Sequence, residues 1–319
     1  MKYYDTYQFE IHDTFSAGLT LQDEDRNGFE VMIGEKTLLR DAEYIIEKTE
    51  HSFVLSIENL KGISGIKKDD LIRVNYSARL NQDAVTGNGG NVNEAYLEYS
   101  NNPNNQASTG KTPADKTMIF TYELDVLKVD GNSLTENIYQ TKLSDAEFVL
   151  YQMEGEKKVY VCVDTNGKVC DWIETKPVSG NLKTAEDGTF IIADLDDGVY
   201  YLEETKAPSG YKLLRSPVKI TIAAATVHGQ DGVNMENLSD LMVKVDTNLT
   251  DSIEEENGMS GDVVKGNVNV TIENFKGAIL PSTGDQGTVL LYGFGSLMLI
   301  VSIIYFTLCK RKETKNDFI

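Results

Sequence analysis

Short runs in which apolar and polar residues alternate occupy most of the chain, with clusters of Gly, Asn, Asp and Pro between them. Alternation with a period of two places successive side chains on opposite faces of a β-strand. Helical periodicity is almost absent upstream of the C-terminal tail. Strands that are each buried on one face are typical of β-sandwiches, so we predict an all-β body of two immunoglobulin-like sandwiches.

Residues 81–116 depart from this pattern because they are rich in Asn, Gly, Thr and Ser. Such a composition predicts a long loop and linker. A chain of 319 residues can bury either one large core or two ordinary cores. We therefore place a domain boundary at the end of this segment, which gives a first domain at 1–117, a second domain at 118–279 and a tail at 280–319.

The C-terminal tail carries no charged residue from Thr288 to Cys309. At about 1.5 Å per residue, a helix of this length crosses a hydrocarbon core of about 30 Å. A basic cluster that follows such a helix stays on the cytoplasmic side, so the rest of the chain is predicted to lie outside the cell. The cluster consists of Lys310, Arg311 and Lys312. The predicted fold is therefore the two sandwiches followed by a single transmembrane helix at about 288–309.

The chain is strongly acidic, with 30 basic and 50 acidic residues and a formal net charge of −20. This charge repels nucleic acid and anionic lipid, so neither is expected as a partner. The Gly-rich stretches lack the strand–loop–helix context of phosphate binding, and the clustered acids of 194–198 lack the spacing of a calcium loop. We therefore expect no cofactor and no metal site.

Three cysteines are too few for a disulfide scaffold. Cys162 and Cys170 flank a predicted hairpin whose three-residue loop, 165–167, has Gly167 at a left-handed bulge position. This loop sets the two cysteines directly opposite each other. The sequence leaves two interpretations open, a disulfide in an oxidising compartment or two reduced thiols on one strand face. Cys309 lies in the apolar tail and cannot be their partner.

Three predicted strands of the second domain continue an apolar face with a polar residue. The first of these faces ends in Lys128 and the last ends in Asn274. On the strand between them, Glu204 shares its face with Leu202. A lone buried charge is costly, so we expect the three polar side chains to meet in the core.

The residues alone allow two interpretations of this cluster. One is a buried, hydrogen-bonded salt bridge with an asparagine attached. In the other, burial favours the neutral forms of the Lys128 amine and the Glu204 acid. The amine then attacks the side-chain carbonyl of Asn274, Glu204 shuttles the proton and ammonia leaves. The product is an amide bond between the lysine and asparagine side chains.

The stretch YYLEETKAPSGYKLL, with VLKVDG before it and IENFKGAILPSTG after it, resembles the B-type repeat domain of collagen adhesin and its relatives in Gram-positive pilins. The likeness covers residues 118–284. It implies a self-formed isopeptide bond in which Glu204 matches the catalytic glutamate, Lys128 the lysine and Asn274 the asparagine. The resemblance therefore favours the bond over the salt bridge.

A five-residue motif, the apolar helix and the basic stop follow one another in the tail. This order resembles the three-part sorting signal of Gram-positive surface proteins. The motif residues are Leu280, Pro281, Ser282, Thr283 and Gly284. The resemblance implies that a sortase cleaves after Thr283 and transfers its acyl group to an amine of a peptidoglycan precursor or to a lysine of another pilin subunit. A permanently membrane-anchored protein is the alternative.

The first domain resembles the middle domain of the same pilin backbone subunits, through YQFEIHDTFSAGLTL and NVNEAYLEYSNNPN. In that domain type an aspartate assists a second Lys–Asn bond, which implies Asp13 as the acid and Asn93 as the acceptor. Alternation agrees, because Asp13 shares a face with Phe9 and Ile11. The matching lysine is expected on an earlier strand, so we predict that the first domain is incomplete.

The opening residues, MKYYDTYQFEIHD, contain no apolar segment of the kind that a signal peptide needs. The tail nevertheless predicts export. We therefore expect this sequence to be the C-terminal part of a longer precursor, which would also hold the N-terminal domain and the lysine that joins pilin subunits.

These observations favour a structural pilus subunit or wall-anchored surface protein on the outside of the cell. The alternative is a surface adhesin that binds a host protein or glycan, although the sequence shows no exposed aromatic cluster or basic patch for such a ligand. A conventional enzyme is not expected, because His12, His51 and His228 have no evident Cys or Ser partner. The only predicted catalysis is the formation of the intramolecular bonds.

Overall fold

β-Strands make up nearly all of the regular structure in the described part of the chain, which confirms the predicted all-β class. The structure is a computed structural model. It describes residues 3–23, 28–136, 138–139, 141–177, 182–228, 236–246 and 259–276. Three short 3-10 helices complete the secondary structure of these residues, at Leu60–Gly62, Gly87–Gly89 and Gly131–Ser133.

The first part of the chain forms ten strands that pair into two sheets. They are β1 (Phe9–Phe15), β2 (Leu19–Gln22), β3 (Phe29–Ile33), β4 (Lys36–Thr37), β5 (Ile45–Lys48), β6 (Ser52–Ile57), β7 (Ile72–Leu80), β8 (Asn91–Ser100), β9 (Thr109–Lys111) and β10 (Asp115–Ile119). One sheet has the order β10-β8-β1-β6-β5, with β9 paired to β8, and the other has the order β2-β7-β3-β4. Phe15, Val31 and Leu55 come from both sheets and share one buried core, so the sheets pack face to face as a sandwich.

The second part of the chain contributes thirteen strands to the described structure. They are β11 (Tyr122–Asp130), β12 (Leu134–Thr135), β13 (Ile138–Tyr139), β14 (Glu147–Glu154), β15 (Lys157–Val163), β16 (Val169–Ile173), β17 (Leu182–Lys183), β18 (Thr189–Leu195), β19 (Gly198–Lys206), β20 (Val218–His228), β21 (Glu236–Asp246), β22 (Met259–Ser260) and β23 (Asn267–Asn274).

Eleven of these strands form a second sandwich, and β12 and β13 pair with each other in a separate two-stranded sheet. The larger sheet of the sandwich has the order β16-β15-β14-β19-β20-β21-β22, with β17 paired to β14, and its smaller sheet has the order β18-β11-β23. Leu124 and Val270 of the smaller sheet share a buried core with Leu202 and Ile220 of the larger sheet. Strands β11 and β23 open and close this sandwich, and they pair side by side in parallel.

The long loop and linker predicted over 81–116 is wrong for much of its length, because three strands lie in this segment. Strand β8 pairs with β1 along seven residues and is central to its sheet. Its first residue, Asn91, is completely buried, and its side-chain amide exchanges hydrogen bonds with the backbone of Val85. A buried asparagine is thus tolerated at this strand end because the backbone of a nearby turn forms hydrogen bonds with its side-chain amide.

Apolar and polar residues alternate along much of 118–128, but the structure divides this segment between two strands. Strand β10 ends at Ile119 and β11 begins at Tyr122, and Thr121 between them accepts a hydrogen bond from the Gly87 backbone through its carbonyl. The boundary proposed after residue 117 therefore falls inside β10, which pairs with β8 of the first sheet.

The turn around Gly87 contacts the second sandwich closely. The backbone N–H of Asn88 donates to the carbonyl of Val264, and the side-chain oxygen of Asn88 accepts from the backbone N–H of Leu238. Gly87 has a positive φ of 74°, and a Cβ atom there would lie 2.5 Å from the backbone nitrogen of Gly266. The contact therefore requires glycine at this position.

The tail prediction falls on residues that the structure does not describe, since the described residues end at 276. The sorting motif and the helix at 288–309 therefore stay predictions. Within the described ranges, no helix has the length and apolar character needed to cross a membrane.

We expect Gly87→Ala to destabilise the protein by about 1–3 kcal/mol more than Gly155→Ala, because only the first substitution forces a Cβ into backbone atoms. Gly155 is a matched control: its φ of 62° is similarly positive, but nothing lies within 4 Å of its added Cβ. Chemical denaturation of both variants measures the difference. Equal losses of stability would show that the turn tolerates a side chain.

Candidate functional site

Lys128, Glu204 and Asn274 meet inside the second sandwich, as the alternation of their strands predicts. Each residue is almost completely buried, with exposed fractions of 0%, 4% and 1%. Lys128 lies near the end of β11, Glu204 on β19 of the facing sheet, and Asn274 at the end of β23. The site thus draws on both sheets of the sandwich.

The parallel pairing of β11 and β23 brings the lysine to the asparagine. Lys128 lies beside Ile272 in the register, so Asn274 is two residues further along the neighbouring strand and on the same face. Two residues span about 6.6 Å of a strand, which the long lysine side chain bridges. Its Nζ donates to Asn274 Oδ1 and also to the carbonyl of Ile272, at 3.3 Å.

Glu204 holds the other end of the asparagine amide. Asn274 Nδ2 donates to both carboxylate oxygens of Glu204, at 2.9 and 3.1 Å. The carboxylate also accepts from the backbone N–H of Leu214, at 2.9 Å, and its Oε1 lies 3.7 Å from Lys128 Nζ. Glu204 therefore contacts both the amide nitrogen and the amine.

Apolar packing surrounds the three polar groups. The ring of Phe148, which is completely buried, has its centroid 6.0 Å from Lys128 Nζ. Burial lowers the pKa of Lys128 to about 8, although the charge of Glu204 opposes this change. The neutral amine, which is the nucleophilic form, is therefore much more accessible here than on an exposed lysine.

The segment after β19 closes over the site, which the sequence reasoning did not anticipate. The hydroxyl group of Tyr211 donates to Asp130 Oδ2 at 3.0 Å, and the backbone N–H of Lys212 donates to the carbonyl of Phe275 at 3.0 Å. Asp130 is buried and lies two residues after Lys128, so alternation along β11 could have placed it on the inward face. Its tyrosine partner required the tertiary structure.

Asp13 and Asn93 also come together, between the two sheets of the first sandwich. Asn93 Nδ2 donates to Asp13 Oδ1, and Tyr76 of β7 donates its hydroxyl proton to Asp13 Oδ2 at 2.8 Å. The same hydroxyl group lies 3.3 Å from Asn93 Oδ1. Burial raises the pKa of Asp13, and the hydrogen bonds from Tyr76 and Asn93 oppose this shift. Tyr76 was missed, although it shares the inward face of Ile72 and Val74.

No described lysine contacts Asn93 or Asp13. Lys36 instead pairs with Glu43, and Lys61 donates to the carbonyl of Tyr4. The sheet that carries Tyr76 has an open edge beside this pair. Residues 72–76 of β7 pair only with β3 and residues 77–80 only with β2, so each residue of β7 has a strand partner on one side alone in the described structure.

Cys162 and Cys170 are not bonded in the structure. Gly167 has the predicted left-handed conformation, with φ of 82°, but the pairing differs from the prediction. Cys162 lies opposite Asp171, and a bulge shifts the register before Val163 pairs with Val169. Cys170 Sγ instead lies 3.3 Å from the Cys162 carbonyl. The extra residue of the bulge is what moves the two thiols out of direct opposition.

Two family models match the body of the chain. Residues 2–103 match the Gram-positive pilin backbone subunit 2, Cna-B-like domain, and residues 124–237 match the SpaA prealbumin-like fold domain. The first part of the chain is therefore similar to a domain of Gram-positive pilin backbone subunits, and the second part is similar to a prealbumin-like fold domain.

Two individual proteins are similar to the chain over most of its length. The trypsin-resistant surface T6 protein of Streptococcus pyogenes serotype M6 is 26% identical over 357 aligned positions, which cover 95% of this chain and 60% of that protein. This chain thus spans about three fifths of that relative. The crystal structure of the group B streptococcus pilus 2b backbone protein superposes with a TM-score of 0.50 and 25% identity, covering 87% of this chain and 88% of that one.

We expect Tyr76→Phe to destabilise the first sandwich by about 1–3 kcal/mol, because the buried carboxylate of Asp13 loses a hydrogen-bond donor. Burial raises the folded-state pKa of Asp13, so this group favours the folded state at low pH and less so as the pH rises through that value. The Tyr76 hydrogen bond opposes the shift, so its loss should cost more at neutral than at acidic pH.

Denaturation curves at pH 4 and pH 7 test this expectation. Tyr201→Phe is a suitable control, since its ring stacks on Tyr151 and the structure gives its hydroxyl group no hydrogen bond among the described residues. A loss of stability that is the same at both pH values, or the same as in the control, would contradict the role given to Tyr76.

Proposed function

We propose that this chain, whose first domain matches a family of Gram-positive pilin backbone subunits, is a structural pilus subunit whose second sandwich is closed by a Lys128–Asn274 isopeptide bond. The observation that carries the proposal is the buried arrangement of Lys128, Glu204 and Asn274. An amine, a carboxamide and a carboxyl group in mutual contact are the complete set of groups that such a bond requires.

The reaction uses each contact once. Lys128 first gives a proton to Glu204. Its neutral Nζ then attacks Cγ of Asn274, while the protonated carboxyl group stays hydrogen-bonded to Nδ2 of the amide. The carboxyl group takes a proton from the attacking amine and gives one to the leaving Nδ2, so it ends in the protonated form. One C–N bond forms, one C–N bond breaks, and ammonia leaves. The product is a neutral amide, which removes the two buried charges.

The position of the bond suits a subunit that bears tension. Force that enters at the start of β11 and leaves after β23 passes through the bond, because β11 and β23 are parallel neighbours joined near their C-terminal ends. The residues between Lys128 and Asn274, 146 positions apart, then lie outside the loaded path. If the entropy model for disulfides transfers, closing so long a loop stabilises the fold by about 4–5 kcal/mol.

A second bond of this kind is proposed at the Asp13–Asn93 pair. Asp13 would act as the proton shuttle and Asn93 as the acyl donor. The Tyr76 hydroxyl group, 3.3 Å from Asn93 Oδ1, could polarise the Asn93 carbonyl by turning its proton from Asp13 to that oxygen. The amine would come from a lysine on a strand that adds to the open edge of β7. A cavity of about 490 Å³ lined by Tyr76, Leu80 and Asn93 leaves room for its side chain.

Attachment to the cell surface is proposed to occur through the tail. A sortase would cleave between Thr283 and Gly284 and transfer the chain to a peptidoglycan precursor or to a lysine of another subunit. The surface location agrees with the T6 relative, which is named as a surface protein. The proposed product is a wall-anchored protein that lacks residues 284–319.

The intramolecular bond predicts a mass for the purified chain about 17 Da below the sequence value, because one ammonia is lost. Glu204→Ala should restore the full mass, since Lys128 and Asn274 then lack a proton shuttle. Glu203→Ala is the matched control: Glu203 is the adjacent carboxylate but pairs with Lys176 near the surface, so the deficit should remain.

Intact-protein mass spectrometry decides the matter. A wild-type chain at full mass would reduce the site to a buried polar cluster, and a deficit that survives Glu204→Ala would refute the mechanism. Asp13→Ala should leave the deficit unchanged, because no described lysine reaches Asn93.

The sorting proposal predicts that protein released from the cell wall ends at Thr283 and carries a wall or pilin amine there. Peptide mass spectrometry of the C-terminal fragment identifies this end. Replacing Thr283 with Ala should abolish wall attachment and leave the mass deficit of the body intact. Wall-attached protein whose C-terminus is still Ile319 would contradict the proposal.

A further inference from the structure

A cluster of metal-binding residue types lies on the outer face of the six-stranded sheet, away from Asp13 and Asn93. Glu10 and His12 project from β1 on this face, and Glu98 projects from β8. One ligand atom from each residue lies within 4.8 Å of the others. All three side chains are only about one-fifth exposed, so the cluster is partly shielded from solvent.

The register places two carboxylates side by side, since Glu10 lies directly opposite Glu98. Like charges at such a position destabilise a sheet unless a cation lies between them. His12 is two residues along the same strand, and its Nε2 lies 3.2 Å from Glu10 Oε2 and 3.6 Å from Glu98 Oε2. The three atoms therefore converge on one point.

Neutral donors orient both carboxylates toward this point. Glu10 Oε1 accepts from Gln8 Nε2 at 2.8 Å and from Ser56 Oγ at 3.2 Å. Glu98 Oε1 accepts from Thr109 Oγ1 at 2.6 Å. In both residues the Oε2 atom remains directed at His12.

The histidine ring is held in a fixed orientation as well. It stacks on Tyr96, with ring centroids 4.6 Å apart and planes 3° from parallel. This stacking keeps Nε2 between the two carboxylates. Supporting contacts that orient histidine and carboxylate ligands are a regular feature of metal sites in proteins.

We propose that Glu10, His12 and Glu98 form a site for a divalent transition-metal ion of the Zn²⁺ type. Ligand atoms about 2.0–2.2 Å from a tetrahedral zinc ion are about 3.3–3.6 Å from one another. The two distances from His12 Nε2, 3.2 and 3.6 Å, are close to this spacing. The ligand atoms of the two carboxylates lie within 4.8 Å of each other and would approach further when an ion binds. One imidazole and two carboxylates leave the fourth position to water or to a group from another molecule.

Lys111 is the competitor for this site. Its Nζ lies 3.2 Å from Glu98 Oε2 and above the ring of Tyr96, but its side chain is 57% exposed. A flexible exposed lysine can leave the carboxylate when a divalent ion binds. The sequence alone did not indicate the site, because its ligands come from two strands that are far apart in the chain and meet only through the register of β1 with β8.

Zinc titration by isothermal calorimetry tests the proposal, with untagged full chain in which Cys162, Cys170 and Cys309 are all replaced by Ser, so that no thiol can bind the ion. One Zn²⁺ per chain is expected. His12→Gln should weaken the affinity by roughly tenfold or more, while His51→Gln, on the same sandwich, should leave it unchanged. Lys111→Ala should strengthen binding, because it removes the competing cation.

A crystal soaked with zinc, measured at the zinc absorption edge, should place the ion between the three ligands. The absence of binding at about 1 mM zinc, or binding that His12→Gln leaves unchanged, would overturn the proposal.

Discussion

The burial of Lys128 against Glu204 is the constraint on which the second sandwich depends. Each charge costs several kcal/mol to remove from water, and their mutual attraction repays this only when the geometry is good. The protein meets the cost with the Asn274 amide between the two groups and the Leu214 backbone N–H on the carboxylate. Amide formation would remove both charges. The free-energy cost of burying the two charges therefore favours the covalent product over the unreacted cluster.

The rest of the sandwich serves to hold these three groups in place. Parallel pairing of the first and last strands sets Lys128 two residues short of Asn274. The facing sheet presents Glu204, and Phe148 packs beneath the amine and keeps water away. The segment that contains Tyr211 is tied to Asp130 and closes the top. In the first sandwich an acid and an amide, Asp13 and Asn93, are likewise hydrogen-bonded to each other. The third group in contact with them is the hydroxyl group of Tyr76, where the second sandwich has a lysine amine.

Much of this could be predicted from the sequence, because the period of a β-strand decides which side chains face inward. Alternation alone predicts that Lys128, Glu204 and Asn274 lie on buried faces. The resemblance carried by the motif around Glu204 implies that the three residues form one bond-forming site. Features that depend on how the strands pair could not be predicted from the sequence. The bulge that separates Cys162 from Cys170 and the opposition of Glu10 and Glu98 both follow from register, which a single strand does not encode. The segment 81–116 was misjudged because its asparagines suggested a loop, whereas Asn91 is satisfied by a turn at the end of β8.

Peptide mapping of the digested, denatured protein tests most directly whether Lys128 and Asn274 are joined covalently. We predict a branched peptide in which the segment with Lys128 is linked to the segment with Asn274, with one ammonia lost and no trypsin cleavage after Lys128. Recovery of two linear peptides at their sequence masses, with cleavage after Lys128, would contradict this prediction.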